Sequence, residues 1–168
     1  NILVSSRTYT PDPENKGTFG KGIPGIPWYY FADKHYSEEG LDKLYLWGLD
    51  QNENYRTNLG VLNVSDRLTE TISIKIYSPS NDLVGEIPIT LGPLAHYQIN
   101  GILTHLGLEG EGYKAVIEVS SYIDNDPTNP EPIVPAVMAY GSKVDNGLND
   151  PTYIEAAFSV MPDIDCIW

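Results

Sequence analysis

The sequence predicts an all-β domain, an antiparallel two-sheet β-sandwich of about eight strands that is jelly-roll-like or immunoglobulin-like. Three observations lead to this prediction. Apolar and polar residues alternate in short runs, and clusters of Pro, Ser, Asn and Asp separate these runs. The 15 Gly and 13 Pro of the 168 residues leave little room for long helices. We therefore expect half-buried strands joined by turns along most of the chain.

Residues 69–100 show the alternation most clearly. Ile72, Ile74 and Ile76 are separated by polar residues, which is the period of two expected for a half-buried strand. Residues 78–82, with the sequence SPSND, supply the turn chemistry that reverses the chain. The apolar side then resumes with Leu83, Ile87, Ile89 and Leu91.

The same patterns predict the other elements in order. A first strand is expected at residues 2–9. In the strand at 41–49, Leu44, Leu46 and Gly48 should face one side, opposite Tyr45, Trp47 and Leu49. A short helical turn is expected at 99–106, because its apolar residues recur at helical spacing. The remaining predicted strands are 55–64, 112–120, 133–144 and 152–160.

Residues 10–40 are rich in Pro and Gly and are predicted to form a long irregular loop. The loop would belong to a single β-sandwich domain that covers residues 1–168, since the chain has the usual length of one domain. Its aromatic run, residues 28–31, suggests that the loop packs on its own side chains or serves a function.

Composition narrows the classes of partner and compartment. The formal net charge of −13 disfavours nucleic acid and anionic membranes as partners. No apolar run approaches the ~20 residues that span a bilayer, so we expect no membrane insertion. The chain begins at Asn1 without Met or a signal region, and we expect a processed product or a piece of a longer protein. The single Cys166 excludes an internal disulfide in this chain.

Several short strings resemble a β-sandwich module that recurs in large secreted and cell-surface proteins of bacteria. The strings are SSRTY at 5–9, GTFG at 17–20 with Ile23 and Pro24, YRTNLG at 55–60 with Asn63, AY at 139–140, VDNG at 144–147 and DPTYI at 150–154. The resemblance implies an extracellular β-sandwich at the cell surface, often one unit of a longer polypeptide, and it transfers no catalytic residues. Residues 28–40 and 161–168 depart from the module.

Two acidic loops, at residues 124–132 and 145–151, are candidate calcium sites. Calcium binds six to eight oxygens from carboxylates, amides and carbonyls, which such loops can supply. The alternative is that these Asp and Asn residues are present because their side chains form turns. The candidate metal ligands are Asp124, Asp126, Asp145, Asn146 and Asp150.

Aromatic residues are concentrated in the first third of the chain and form the second candidate site. Flat aromatic faces can stack on sugar rings or anchor a protein partner. Ordinary core packing is the alternative. The candidate platform consists of Trp28, Tyr29, Tyr30, Phe31 and Trp47.

The sequence contains no nucleophile elbow, P-loop or zincin motif, and we expect no enzyme activity. The preferred hypothesis is a non-catalytic extracellular structural, assembly or adhesion module, for example a subunit of a surface filament. Its partners would be copies of itself or other cell-surface proteins, joined by strand addition through the apolar ends at 1–4 and 166–168. The alternative is a carbohydrate-binding module that binds polysaccharide on the aromatic platform.

Overall fold

The structure is a computed structural model that describes residues 5–11 and 18–159. This part of the chain is all-β, and every pairing between its strands is antiparallel. One short helix, α1, spans Ile102–His105, and single 3-10 turns span Trp28–Tyr30 and Lys34–Tyr36. The strands are β1 Ser5–Pro11, β2 Thr18–Pro24, β3 Ala32–Asp33, β4 Lys43–Gln51, β5 Tyr55–Asn63, β6 Leu68–Tyr77, β7 Leu83–Leu91, β8 His96–Ile99, β9 Gly110–Asp124, β10 Ala136–Asp145 and β11 Pro151–Glu155.

The clearest alternating runs form strands as predicted, although the described residues form eleven strands rather than about eight and the last one, β11, ends at Glu155. Ile72, Ile74 and Ile76 on β6 are fully buried, and their polar neighbours point to the other face. Ala115, Ile117 and Val119 on β9 are buried in the same way, and the predicted helical turn is α1. Leu83, which the pattern places on the apolar side of β7, is instead exposed, because the register with β6 shifts between Ile76 and Tyr77.

A bulge in β4 overturns part of the predicted strand pattern. Leu44 and Leu46 are buried as expected, but Gly48 is exposed and Leu49 is fully buried. Gly48 has φ 71°, and the register with β9 shifts between Trp47 and Leu49. A bulge inserts one extra residue and turns the following side chains to the opposite face. The predicted orientations of Gly48 and Leu49 are therefore wrong.

Among the described residues, the strands fall into two groups with few backbone links between them, the Gln51–Arg56 pair and a bridge from Tyr45 on β4 to Ala157 after β11. The hydrogen-bonded order is β11-β10-β5-β4-β9-β6-β7, with β3 also on β10 and β8 also on β5, while β1 and β2 form a separate hairpin. Between β4 and β5, only Gln51 and Arg56 are paired. Beyond that pair, β4 follows β9 and β5 follows β10. We call β3, β5, β8, β10 and β11 the first group, and β4, β6, β7 and β9 the second group.

Both groups contribute side chains to one hydrophobic cluster. Leu59 and Val61 come from β5 of the first group, whereas Leu46, Ile74 and Ile117 come from the second group. Helix α1 adds Ile102 and Leu103, which are fully buried. The helix therefore lies against the same core that the two groups share.

The region before β4 is more regular than predicted. Residues 18–24 form β2, which pairs along its whole length with β1, so residues 10–40 are not one irregular loop. The pattern fails there because Gly-rich strands carry little hydrophobic alternation. Residues 1–4, 12–17 and 160–168 lie outside the described part, and the predictions on both apolar ends and on Cys166 fall there. Among the described residues, no helix is long and apolar enough to cross a membrane.

Candidate functional site

A cleft of about 1070 Å³ lies between the segment that contains the two 3-10 turns and the loop that joins β9 to β10. Its aromatic side is formed by Trp28, Tyr29, Phe31 and Tyr36. Its polar lining is formed by Asp33, Ser65, Asp66, Arg67, Asn125, Asp126, Asn129 and Glu131. Apolar residues, including Ile133, Val134 and Phe158, complete the lining. Ligand sites in proteins have this size and this mixture of aromatic walls with a few polar groups.

Strand β3 holds the aromatic segment in place. Ala32 and Asp33 pair with Val137 and Ala136 at the start of β10. The Lys34 side chain then donates to two carbonyls of β9, those of Val119 at 2.9 Å and Ser120 at 3.0 Å. The segment is thereby attached to both strands that flank the acidic loop, and this attachment creates the cleft.

The aromatic wall is accessible to a ligand. Trp28 is 65% exposed and Tyr36 is 50% exposed, which is unusual for side chains of this size. The rings of Trp28 and Tyr29 meet edge to face, with their centroids 5.9 Å apart. The Trp28 and Tyr29 rings therefore support each other within the wall.

An ion pair fixes the acidic loop. Arg67 donates through Nε to Asp124 Oδ1 at 2.6 Å and through a second nitrogen to Asp124 Oδ2, and it also donates to the Glu131 carbonyl at 3.1 Å. These hydrogen bonds lower the pKa of the Asp124 carboxyl and raise that of the Arg67 guanidinium. Asp126 accepts from the Thr128 hydroxyl at 2.9 Å, which orders the middle of the loop. The loop is thus held by its own side chains.

A buried acid lies beneath the residues that line the cleft. Glu70 on β6 is completely buried, and its Oε1 accepts the Ala136 N–H at 2.9 Å. Among the described residues, no group donates to or accepts from its Oε2. Burial raises the pKa of Glu70 to about 8, and the negative charge of Asp33 acts in the same direction. Glu70 is therefore mostly protonated at neutral pH.

No protein-family model, curated protein or solved structure matches this chain. The resemblance to a secreted bacterial β-sandwich module therefore stays a prediction. The geometry of the cleft carries the functional argument alone.

The candidate aromatic platform is divided between separate places. Trp28, Tyr29 and Phe31 line the cleft, whereas Tyr30 packs against the core cluster. Trp47 lies in a second groove on the outer face of the second group, where it stacks on Tyr45 with centroids 5.7 Å apart. The second groove and the cleft share no lining residue, so the five aromatics do not form one platform.

The candidate metal ligands fall into two sets, near opposite ends of β10. Asp124 and Asp126 precede β10, whereas Asp145 is its last residue and Asn146 and Asp150 follow it. A ten-residue strand spans roughly 33 Å, so the two sets cannot share an ion.

Within each set, the side chains make the contacts of turns and ion pairs. Asp124 binds Arg67, and Asp145 Oδ1 accepts the N–H groups of Gly147 and Leu148 at 2.8 and 2.9 Å. Asn146 accepts from Arg56 at 2.7 Å. In the part of the chain that the structure describes, no three His, Cys, Asp or Glu side chains converge. Calcium at either loop stays a prediction.

Sequence reasoning counted Tyr36 among the early aromatics but left it out of the candidate platform, and it missed Arg67 entirely. Tyr36 stands outside the 28–31 run, and Arg67 follows a turn far from the aromatic segment along the chain. The sequence contains a weak indication that Arg67 has a charged partner, since it is one of only ten Lys and Arg residues and follows directly on Asp66. Nothing in the spacing predicts that it would pair with Asp124.

Proposed function

We propose that this chain is a non-catalytic carbohydrate-binding module and that the cleft is its binding site. One observation carries the proposal. The exposed rings of Trp28 and Tyr36 line the same cavity as the amides of Asn125 and Asn129. Aromatic faces can stack on the apolar faces of sugars, and oxygen and nitrogen groups can bind the hydroxyls. The module would act outside the cell, as the preferred hypothesis for this chain also holds.

The binding site would sit on a two-sheet β-sandwich. Between β4 and β5 only Gln51 and Arg56 pair, which lets the two strand groups separate, and their shared core supports face-to-face packing. In such an arrangement, the cleft opens at the end where β5 stops and β10 begins. Loops at the end of a rigid sandwich are a common position for binding sites.

Calorimetric titration with a panel of neutral and charged oligosaccharides tests the proposal. Calorimetry is preferred to fluorescence because Trp28 is one of only three Trp in the chain and its replacement changes the optical signal. We expect saturable binding that weakens at least about tenfold in Trp28→Ala, the loss of one stacking contact. Trp47→Ala is the matched control, because Trp47 is a similarly exposed ring in the second groove.

Two outcomes count against this function. If no member of the panel gives heat of binding, the cleft does not bind carbohydrate. If Trp47→Ala abolishes binding and Trp28→Ala does not, the site is the second groove.

We infer self-assembly at the cell surface as a second candidate function, on the observation that β7 is an edge strand. Among the described residues, β7 pairs only with β6, and Leu83 and Val84 at its start are exposed. An edge of this kind can accept a strand from another copy or another surface protein. Pro88 in its middle cannot donate to a new partner, which confines strand addition to part of the edge.

Light scattering at rising protein concentration, with calcium and then with chelator, tests assembly. We expect growth in molar mass that Val84→Pro abolishes, and dependence on calcium would connect the acidic loops with metal. A constant monomer of 18.6 kDa in both conditions would exclude self-assembly by this chain.

A further inference from the structure

The charged side chains of the cleft are predominantly acidic. Its lining contains four carboxylates, those of Asp33, Asp66, Asp126 and Glu131, and one cationic group, Arg67. Of these four carboxylates, Asp33 belongs to the aromatic segment itself, because β3 lies between Phe31 and Tyr36 in the sequence. A ligand in this cleft therefore meets negative charge on the same side as the aromatic rings.

Arg67 does not offset this charge. Its guanidinium forms a two-pronged ion pair with Asp124, which itself lies outside the cleft lining. The negative charges of Asp66 and Asp126 lie close enough to add to the rise in the Arg67 pKa. Because the positive charge of Arg67 is already matched, an anionic ligand would find no available cation in the described lining.

Aromatic rings and carboxylates attract the same kind of ligand group. The face of a Trp or Tyr ring attracts a cation through its quadrupole, and a carboxylate attracts it through its charge. We propose that the cleft selects glycans that carry protonated amines, such as a polymer of glucosamine, over neutral glycans of the same shape. This inference rests on the proposed carbohydrate-binding function and names the ligand class of that site.

The acidity of the whole chain gives an alternative explanation for any binding of a cation. A net charge of −13 attracts polycations without a specific site. The test therefore has to separate attraction by the cleft from attraction by the surface. Titrations at about 0.15 M salt limit the second effect, because exposed charges more than ~8 Å apart are then largely screened.

The experiment compares glucosamine oligomers with N-acetylglucosamine oligomers of equal length, at a pH that protonates the free amines. We expect the amine form to bind at least about tenfold more tightly, as a cation held by carboxylates and aromatic faces should. The double variant Asp126→Asn/Glu131→Gln should lose most of this preference. Its matched control is Glu53→Gln/Asp150→Asn, which removes the same charge at the other end of β10 and should keep the preference.

Each contrary result has a separate meaning. Equal binding of both oligomers would overturn the inference and leave the carbohydrate-binding function intact. If the two double variants lose binding equally, the preference comes from the surface charge and the inference is overturned. The same conclusion follows if a charge-matched oligolysine binds equally tightly. Absence of binding by both oligomers overturns the inference, and only absence across the whole glycan panel also overturns the proposed function.

Discussion

Glu70 places a titratable proton inside the core. In the folded chain its pKa is raised to about 8 by burial, against an ordinary value of 4.5. Between these two values the folded state holds a proton that the unfolded state has released. The contribution of Glu70 to stability is therefore complete below about pH 4.5 and is lost as the pH rises to about 8.

We expect the free energy of unfolding to fall over this pH range, by at most about 1.4 kcal/mol per pH unit from this group. In Glu70→Gln the amide oxygen can still accept the Ala136 N–H, but it does not titrate. The difference in stability between the variant and the parent should therefore move in favour of the variant as the pH rises. Urea unfolding at several pH values measures this difference. If the free energies of unfolding of the two proteins change in parallel with pH, the raised pKa of Glu70 is contradicted.

Gly60 is required by a close approach of an aromatic ring. A Cβ at this position would lie 2.3 Å from the ring of Tyr140, its pairing partner on β10. The ring cannot move freely, because it stacks on His96 and Tyr153 and its hydroxyl donates to Gln98 at 2.9 Å.

We expect Gly60→Ala to lower the free energy of unfolding by about 1–3 kcal/mol, as overpacking does. Urea unfolding measures the loss. Adding Tyr140→Leu to the same variant should recover part of it, and a loss that is unchanged in the double variant would show that the ring is not the cause.

At the scale of the element, the bulge at Gly48 decides which face of β4 is buried at its end. Gly48 has φ 71°, a conformation that costs an L-residue about 1–2 kcal/mol. No atom lies near its missing Cβ, so the backbone conformation alone would oppose Gly48→Ala.

Gly48→Ala should therefore destabilise the chain by about 1 kcal/mol or slightly more. Gly92→Ala is the control, because Gly92 also has open space around its Cβ and no positive φ. Thermal or urea unfolding compares the two, and equal losses would mean that the conformation at Gly48 carries no special cost.

Periodicity predicted the strands with an unbroken alternation and failed where one residue changes the period. Ile72, Ile74 and Ile76 form such a run, and their burial is as expected. Gly48 inserts one residue, which no count of apolar positions can reveal, and Leu49 consequently turns inward.

The cleft could not be predicted from the sequence for a different reason. Its aromatic and acidic sides are distant in sequence, and long-range contacts such as the Asp33–Ala136 pair and the Lys34–Val119 hydrogen bond bring them together.

At the scale of the whole molecule, an ion pair connects the two strand groups near the Gln51–Arg56 pair. Asp50 at the end of β4 is buried, and its carboxylate accepts the Gly112 N–H at 2.8 Å and binds Lys143 on β10. The Lys143 ammonium also lies 4.9 Å from the centre of the Tyr55 ring. One carboxylate thereby connects β9 of the second group to β10 of the first.

Asp50→Ala should lower the free energy of unfolding by about 2–4 kcal/mol, because it leaves the partly buried Lys143 without its partner. A double-mutant cycle with Lys143→Ala separates the pair from the other contacts of each residue. We expect a coupling energy of about 1–3 kcal/mol in urea unfolding. A coupling near zero would show that the pair does not hold the groups together.

The single link between β4 and β5 also governs the order in which the chain can fold. Neighbours along the sequence are not partners here, since Lys43 pairs with Glu118 and Tyr55 with Asp145. On a ribosome, β4 emerges long before β9, and in the interval β6 can pair with β7 and β5 with β8 while the partner strand of β4 is still missing. Closing such long loops is slow. Newly made chains would therefore expose unpaired strand edges for a time. A chaperone that binds such edges would have its largest effect at that stage.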